Sequence, residues 1–277
     1  MLGKIYEIFL TEQLVLLENN TIGLGKKKDC QNRSVVTTPT EIVKYMVDKT
    51  LSKVCEGKTP SEILNISVAD IACGSGIFLE EAFAYLQDYC VQWYICNGQT
   101  DHLIETGIDL YKLPLQEKKD ILCSCIYGID IDIHAVEVAK FSLLIKLIED
   151  ETAPSVSEVV PILPDLGDNI QFGNSLVSQT ELNGISGANR QMMEIAPFDW
   201  STINNGCGFD VIIGNPPYVN TEGMHALLPS AEVEVYKKKY KTSHKQFDKY
   251  FIFIEQAINK INENGLVCYI CLLYTSD

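Results

Sequence analysis

The chain has 277 residues and a formal net charge of −15, with 46% hydrophobic and 21% charged residues. This length can bury one large core, or a core with an appendage, and the composition is that of a globular protein. No apolar run is long enough to cross a bilayer, and the first residues lack a signal-peptide pattern. The ten cysteines do not cluster with the four histidines, which predicts a reduced, cytoplasmic protein with no metal site.

The first elements of the chain are predicted to be helical. Residues 2–18 carry apolar side chains at helical spacing, so a leading amphipathic helix is expected within an N-terminal segment, residues 1–32. Further on, Thr38 as N-cap, Pro39 at the first helical position and Glu41 at the third predict a capping box and a helix start. The free N–H groups of that helix end suit a carboxylate, although a plain cap is the simpler explanation.

Residues 67–79 predict a strand, a glycine turn and a helix. The turn contains Gly74 and Gly76, whose backbone can approach a ligand closely. Leu79 occupies the third glycine position of the dinucleotide fingerprint, so that fingerprint fails. With the acidic Asp70 just before it, the turn favours a cationic amino-acid ligand over a pyrophosphate.

The next strand, residues 126–132, follows a polar excursion at residues 94–121 and ends in two acidic residues. Rossmann-type folds hold ribose hydroxyls with an acid at the end of the second strand. Asp130 is the better candidate for that role, and Ile131 is available to pack on a base. Asp132 is more simply explained as the cap of the apolar helix that follows.

A third strand, residues 170–176, has a polar end that contains Asn174, and residues 177–208 are predicted to form a long loop. The apolar run at residues 209–214 then predicts a buried parallel strand. A helix at residues 247–261, ended by Asn264-Gly265, and a fifth strand at residues 266–273 follow. Strands alternating with helices predict an α/β fold with a doubly wound, mostly parallel sheet.

The fourth strand runs directly into Asn215-Pro216-Pro217-Tyr218. Proline cannot donate a ladder hydrogen bond, and the residue before it is held extended, so Asn215 should project from the carboxyl end of the strand. The Asn215 side-chain oxygen and the Pro216 carbonyl could accept both hydrogens of an exocyclic amine, while Tyr218 stacks on the base. An ordinary Pro-Pro loop and a short Asn-Pro-x-Tyr peptide signal are the alternatives.

Lysines crowd the segment after this turn. A solvated helical face and a phosphate-binding patch both account for them, and their position beside the proposed base pocket favours phosphate, despite the acidic net charge. The six are Lys237, Lys238, Lys239, Lys241, Lys245 and Lys249.

Five motifs in order resemble the class I S-adenosylmethionine-dependent methyltransferases. More narrowly, they resemble the N6-adenine DNA methyltransferases of restriction–modification and phage-defence systems, of the Type IIG-like, Asn-Pro-Pro-Tyr class. The motifs span residues 33–270: Thr-Pro, Asp-x-Ala-Cys-Gly-Ser-Gly-x-Phe, Tyr-Gly-Ile-Asp-Ile-Asp, Gly-Asn-Ser-Leu, and Phe-Asp-Val-Ile-Ile-Gly-Asn-Pro-Pro-Tyr. The resemblance implies a Rossmann-like catalytic domain over residues 33–277, truncated at its C-terminus. A target-recognition domain, and a restriction or specificity domain or subunit, would then be missing from this chain.

The resemblance also implies S-adenosyl-L-methionine as cofactor and DNA, through a flipped adenine, as substrate. It assigns the target adenine to Asn215, Pro216, Pro217 and Tyr218. The implied cofactor residues are Thr38 for the methionine carboxylate, Asp70, Ala72, Cys73, Gly74, Ser75 and Gly76 around the methionine part, Asp130 for the ribose, Ile131 for the adenine ring, and Asn174 for its amine.

Two departures from the family pattern stand out. Val36-Thr37 precedes Thr38 where many relatives have aromatic residues, and Asn174 stands where many have Asp. Two other functions share the pattern. A protein glutamine methyltransferase also uses Asn-Pro-Pro-Tyr on a planar amide, and a fragment could bind the cofactor without turnover. The two long connections, at residues 177–208 and 219–246, and the leading helix favour the DNA enzymes.

Overall fold

The structure is a computed structural model that describes residues 12–16, 22–26, 38–152 and 160–271. Strands β1 (Glu12–Leu16) and β2 (Ile22–Lys26) pair antiparallel. The predicted helix at residues 2–18 is therefore wrong for residues 12–16, and the rest of it lies outside the described residues. The spacing from Phe9 to Leu14 is five residues, which is longer than the three or four of a helical face, so the residues beyond it do not continue that face.

Helices and strands alternate through the rest of the described chain. They are α1 (Thr40–Cys55), α2 (Pro60–Ile63), β3 (Val68–Asp70), α3 (Ile77–Cys96), β4 (Ile104–Gly107), β5 (Leu110–Lys112), α4 (Leu115–Cys125), β6 (Ile126–Asp130), α5 (Ile133–Ile148), β7 (Ile170–Phe172), α6 (Ala188–Ile195), β8 (Phe209–Gly214), α7 (Thr221–Leu227), α8 (Ser230–Lys239), α9 (Lys249–Lys260) and β9 (Ile261–Tyr269).

The central sheet has five strands in the order β7-β6-β3-β8-β9, and every neighbouring pair is parallel. The predicted doubly wound parallel sheet is confirmed. Both faces are covered, which is why β8 is apolar almost throughout. Val211 and Ile213 pack into a core with α1, α3, α4 and α5 on one face, while Phe209 and Ile212 pack against α8 and α9 on the other.

Two predicted helix boundaries are wrong. Helix α1 begins at Thr40, with Pro39 in the cap position. No side chain caps the helix, because the ring of proline has no hydrogen-bond acceptor, and the Pro39 carbonyl accepts the N–H groups of Ile42 and Val43. Helix α9 ends at Lys260, before Asn264-Gly265. Those two residues instead form an irregular stretch of β9, where Asn264 has φ +67° and the register with β8 shifts.

The segment at residues 177–208 is not a plain loop. It contains α6, whose Ala188 and Ile195 are buried in the second core, and two short 3₁₀ turns. Its glycines and asparagines at either end obscure this short helix in the sequence. Within the described part of the chain, no helix is long and apolar enough to span a membrane.

Candidate active site at the carboxyl ends of strands β3, β6 and β8

The winding of the sheet reverses at β3, which pairs with β6 on one side and β8 on the other. In open α/β sheets, ligands bind outside the carboxyl ends of the strands at such a reversal. Asp70 ends β3, Asp130 ends β6, and Asn215 directly follows β8. The structure thus brings the predicted cofactor turn and the predicted base-binding turn to the same edge of the sheet.

The glycine turn after Asp70 is fixed by contacts with the end of β6. The Gly74 N–H donates to Asp130 Oδ2 at 2.8 Å, and the Cys73 N–H donates to the Ile129 carbonyl at 3.0 Å. Gly76 has φ +88°, and a Cβ there would lie 3.0 Å from the Ala139 Cβ. Glycine is therefore required both by the backbone conformation and by the approach of α5.

Asp70 is 2% exposed, and its Oδ1 accepts the Ala72 N–H at 3.0 Å. A Cβ on Gly214 would lie 2.5 Å from that oxygen, so the carboxyl occupies space that only a glycine leaves open. Burial raises the pKa of Asp70 to about 8; the Ala72 N–H hydrogen bond opposes this rise and the charge of Asp130 contributes to it. Removal from water disfavours the ionised carboxyl, and a bound cation would restore it.

Asp130 is the second acid at this edge. Burial raises its pKa, while hydrogen bonds from the Asp132 and Gly74 N–H groups act in the opposite direction. The Asp132 side chain accepts the His134 N–H, which confirms its role as the cap of α5. Ile131 is 46% exposed beside these acids and keeps a free apolar surface at the mouth of the site.

Asn215 is held at both ends of its side-chain amide. Its Nδ2 donates to Thr38 Oγ1 at 3.1 Å, and the Tyr218 hydroxyl lies 2.7 Å from both Asn215 Oδ1 and the Ile270 carbonyl oxygen. Burial raises the pKa of Tyr218 to about 12, so this hydroxyl stays protonated and donates. Thr38, expected to face the cofactor, therefore also orients the residue expected to hold the base.

The ring of Tyr218 also has a neighbour that the sequence did not reveal. It meets the Tyr250 ring edge-on, with centroids 5.9 Å apart. Tyr250 belongs to the first turn of α9, and its apolar spacing in the sequence marked it only as a core residue. The order of the residues in α9 gave no signal for this contact.

Asn174 lies in the interior and is 4% exposed. Its Nδ2 donates to Glu232 Oε1 at 2.9 Å, and its Oδ1 accepts the Leu176 N–H at 3.1 Å. Glu232 is itself buried, bonded to the Tyr236 hydroxyl and 3.6 Å from Lys249 Nζ. The sequence missed Glu232, because an acidic residue in the first turn of a helix usually faces water.

The start of α9 contacts the chain after the base-binding turn directly, and it contacts Asn174 through Glu232. The Lys249 N–H donates to the Val219 carbonyl at 2.8 Å, and Asp248 Oδ1 accepts the Val219 N–H at 3.1 Å. Lys249 therefore contacts the chain after Tyr218 through its backbone and Glu232 through its side chain.

The lysines after the turn do not form one open patch. Lys238 pairs with Glu234 at 2.7 Å, and Lys239 pairs with Glu181 at 2.9 Å. Lys249 is buried beside Glu232 as described above. These pairs favour a largely compensated helix surface over a continuous phosphate-binding face.

The site suits the predicted cofactor in three respects. The glycine turn offers backbone N–H groups, and Asp130 offers acceptors at the end of the second strand of the winding. The third is the hydroxyl of Tyr269, which is buried and has no hydrogen-bond partner among the described residues. Tyr269 pairs in register with Gly214. Buried polar atoms normally have a partner, so this one fits a position that a ligand completes.

Comparisons with known proteins agree with this arrangement. Residues 124–274 match the family described as Eco57I restriction-modification methylase. The chain is 45% identical over 270 residues to the type II restriction enzyme and methyltransferase RM.Eco57I of Escherichia coli, an alignment that covers 98% of this chain and 26% of that protein. The chain thus spans about a quarter of the length of this relative.

Two solved structures share the fold. The DrdV–DNA complex gives a TM-score of 0.51 at 17% identity, covering 87% of this chain and 20% of that one. The second is a nuclease-deletion mutant of the Type ISP restriction-modification enzyme LlaGI, in complex with a DNA substrate mimic. It gives a TM-score of 0.51 at 17% identity, and the match covers 84% of this chain and 18% of that one. At this identity the likeness bears on the fold alone. With the strand order, it confirms the predicted Rossmann-like class I architecture.

Proposed function

Because the chain belongs to the Eco57I restriction-modification methylase family, whose model matches more than half of it, we propose that it methylates the N6 amine of adenine in DNA. S-adenosyl-L-methionine is the proposed methyl donor, and a restriction–modification or phage-defence system is the proposed setting. The observation that carries this proposal is the Asn215 amide, held between Thr38 and Tyr218 at the same sheet edge as the glycine turn.

Asn215 would act by orienting and polarising the amine. The nitrogen lone pair of an adenine amine is delocalised into the ring, so the amine is a poor nucleophile. If Asn215 Oδ1 and the Pro216 carbonyl accept its two hydrogens, the nitrogen becomes more tetrahedral and its lone pair points out of the ring. This orientation and stabilisation are the main contributions of the protein, at about 10²-fold or more per lost contact.

The contacts of Asn215 support that role. Donation from Nδ2 to Thr38 fixes the rotation of the amide, so Oδ1 faces the Tyr218 side. An amide oxygen has two lone pairs, and Tyr218 can occupy only one of them. The other remains for the amine of a base.

The cofactor supplies an electrophilic methyl group on a sulfonium centre. Thr38, the turn from Asp70 to Gly76, Asp130, Ile131 and Asn174 are the residues proposed to hold it. Asp130 already accepts two backbone N–H groups, and its carboxylate has further lone pairs for ribose hydroxyls. As the new N–C bond forms, the C–S bond breaks, and the methylated amine then loses a proton to water.

An adenine within a duplex cannot reach this edge of the sheet, so the base must be extruded. We propose that it stacks on Tyr218, next to Tyr250. Target recognition and restriction are proposed to rest with sequence beyond these 277 residues. RM.Eco57I, whose name covers both restriction and methylation, is matched over only 26% of its length.

The test is transfer of a labelled methyl group from the cofactor to DNA or to protein, followed by nucleoside analysis. Label in N6-methyladenine, lost in Asn215→Ala, supports the proposal. Label in a glutamine side chain would establish the protein methyltransferase instead. Label in cytosine would also refute the adenine assignment. Cofactor binding with no transfer to any acceptor would leave a binding fragment.

A further inference from the structure

The hydroxyl of Tyr269 is an exception among the buried polar groups of this protein. Tyr269 ends β9, and its hydroxyl oxygen is buried although the residue as a whole is partly exposed. Among the described residues, only this oxygen and Trp200 Nε1 are buried side-chain polar atoms with no hydrogen-bond partner. Leaving such a group unpaired costs about 1–3 kcal/mol, so a partner that arrives later would recover that free energy.

Tyr269 lies on the strand beside Gly214, and the charge of the buried Asp70 carboxyl acts on its hydroxyl. Tyr269 pairs in register with Gly214, so the two residues point to the same face of the sheet. Gly214 has no side chain, and Asp70 Oδ1 occupies the space where its Cβ would be. The carboxyl and the tyrosine therefore flank the same glycine, directly before Asn215.

The charges around Tyr269 determine whether a cationic or an anionic ligand group is favoured there. Burial and the neighbouring Asp70 raise the pKa of Tyr269 well above its usual range, so the hydroxyl stays neutral. It can then accept one hydrogen bond and donate another. Asp130 adds a second carboxyl nearby, and the Cys73 thiol, with its pKa also raised, adds no positive charge. An anion would gain no charged partner here, whereas a cation with several N–H donors would favour the ionised carboxyl and satisfy both it and the hydroxyl.

We propose that Tyr269 is a further cofactor-binding residue, whose hydroxyl joins Asp70 in binding the α-ammonium group of the cofactor. The identity of the cofactor rests on the proposed function. The pairing of a hydroxyl with an ammonium rests on the contacts around Gly214. The amino-acid part of the ligand then lies between the glycine turn and the base-binding turn.

The experiment compares two ligands in one variant. S-adenosylhomocysteine carries the amino-acid part, and 5′-methylthioadenosine lacks it while keeping the nucleoside. In Tyr269→Phe, the dissociation constant of S-adenosylhomocysteine should rise about tenfold, the effect of one lost hydrogen bond to a charged group. The constant for 5′-methylthioadenosine should stay within about twofold, since the nucleoside does not meet this hydroxyl.

A matched control and a stability measurement separate binding from folding. Tyr127→Phe also removes one tyrosine hydroxyl, which donates to the Ser124 carbonyl at 3.0 Å and lies near the amino end of β6. It should leave both dissociation constants unchanged. Without ligand, Tyr269→Phe should melt at the wild-type temperature or higher, because it removes a buried polar atom that has no partner.

Three results would overturn the assignment: equal weakening of both ligands, unchanged binding of S-adenosylhomocysteine, or a lower melting temperature that accounts for the loss. Wild-type chain that binds neither ligand would overturn it together with the cofactor assignment. If Tyr269→Phe weakens only S-adenosylhomocysteine and the wild type transfers no methyl group to DNA, the role of Tyr269 in cofactor binding is supported. Only the proposed function is then refuted.

Discussion

Cofactor binding should tighten as the pH rises from about 6 to about 8, because Asp70 must lose a proton before it can pair with an ammonium group. The ligand-free pKa of Asp70 is about 8, so about one tenth of the carboxyl is ionised near neutral pH. As the pH rises towards about 7, the dissociation constant of the cofactor should fall about tenfold per pH unit. It should then level off near pH 8. The other ionisable groups around Asp70 are Asp130, Cys73 and Tyr269.

The same group makes the ligand-free fold less stable as the pH rises. The unfolded Asp70 ionises near its ordinary pKa of 3.8, while the folded group keeps its proton until about pH 8. The unfolded state therefore binds fewer protons between these values. The free energy of unfolding therefore falls as the pH rises through this range, by at most about 6 kcal/mol. Asp70→Asn should remove this loss.

Calorimetry can count the proton directly. Titrations of S-adenosylhomocysteine near neutral pH, in buffers with different ionisation enthalpies, should show release of about one proton by the wild type and none by Asp70→Asn. In Asp130→Asn, the dissociation constant should depend on pH with the same slope, but it should level off at a lower pH. The reason is that removal of the neighbouring charge lowers the pKa of Asp70. A pH-independent affinity in the wild type, or the same slope in Asp70→Asn, would refute the reasoning.

Three further substitutions test the site. Asn215→Ala should lower methyl transfer about 10²-fold or more and leave the dissociation constant of S-adenosylhomocysteine within about threefold; loss of both in parallel would make the residue structural. Asp130→Ala should weaken cofactor binding first, measured by calorimetry, and unchanged affinity would remove it from the site. Gly214→Ala should destabilise the fold by about 1–3 kcal/mol in denaturant melts, because its Cβ would lie 2.5 Å from Asp70 Oδ1. Gly107→Ala, with 3.4 Å to the nearest atom, is its control and should cost less.

The strands and turns of the central sheet were predictable because their signals are local. An apolar run that stops at glycine or proline marks both a strand and its carboxyl end, as at Gly74 and Pro216. The parallel sheet then brings these ends together without further information. The helix boundaries at Thr40 and Lys260 differed, since proline and Asn-Gly each serve more than one backbone geometry. The bounds of two strands differed as well: β7 ends at Phe172, and β9 covers Ile261–Tyr269 where residues 266–273 were predicted.

The contacts between distant elements were not predictable in this way. Asn174 and Glu232 are 58 positions apart, and nothing in either segment indicates that they form a buried hydrogen bond. Tyr269 likewise reads as an ordinary strand residue. Its hydroxyl becomes notable only when Gly214 and Asp70 are placed beside it. Such features depend on packing, which a single sequence leaves open.

Lys249 has a consequence for the energetics of the whole site. Its backbone N–H donates to the Val219 carbonyl, directly after Tyr218. Its ammonium group lies beside the Glu232 carboxylate, which accepts a hydrogen bond from Asn174. A displacement of Lys249 would therefore change the contacts of both proposed ligand positions, at Tyr218 and at Asn174. If a bound base moves it and thereby alters cofactor affinity by some factor, the cofactor must alter base affinity by that same factor. One buried amino group would then set how strongly the two substrates promote or oppose each other.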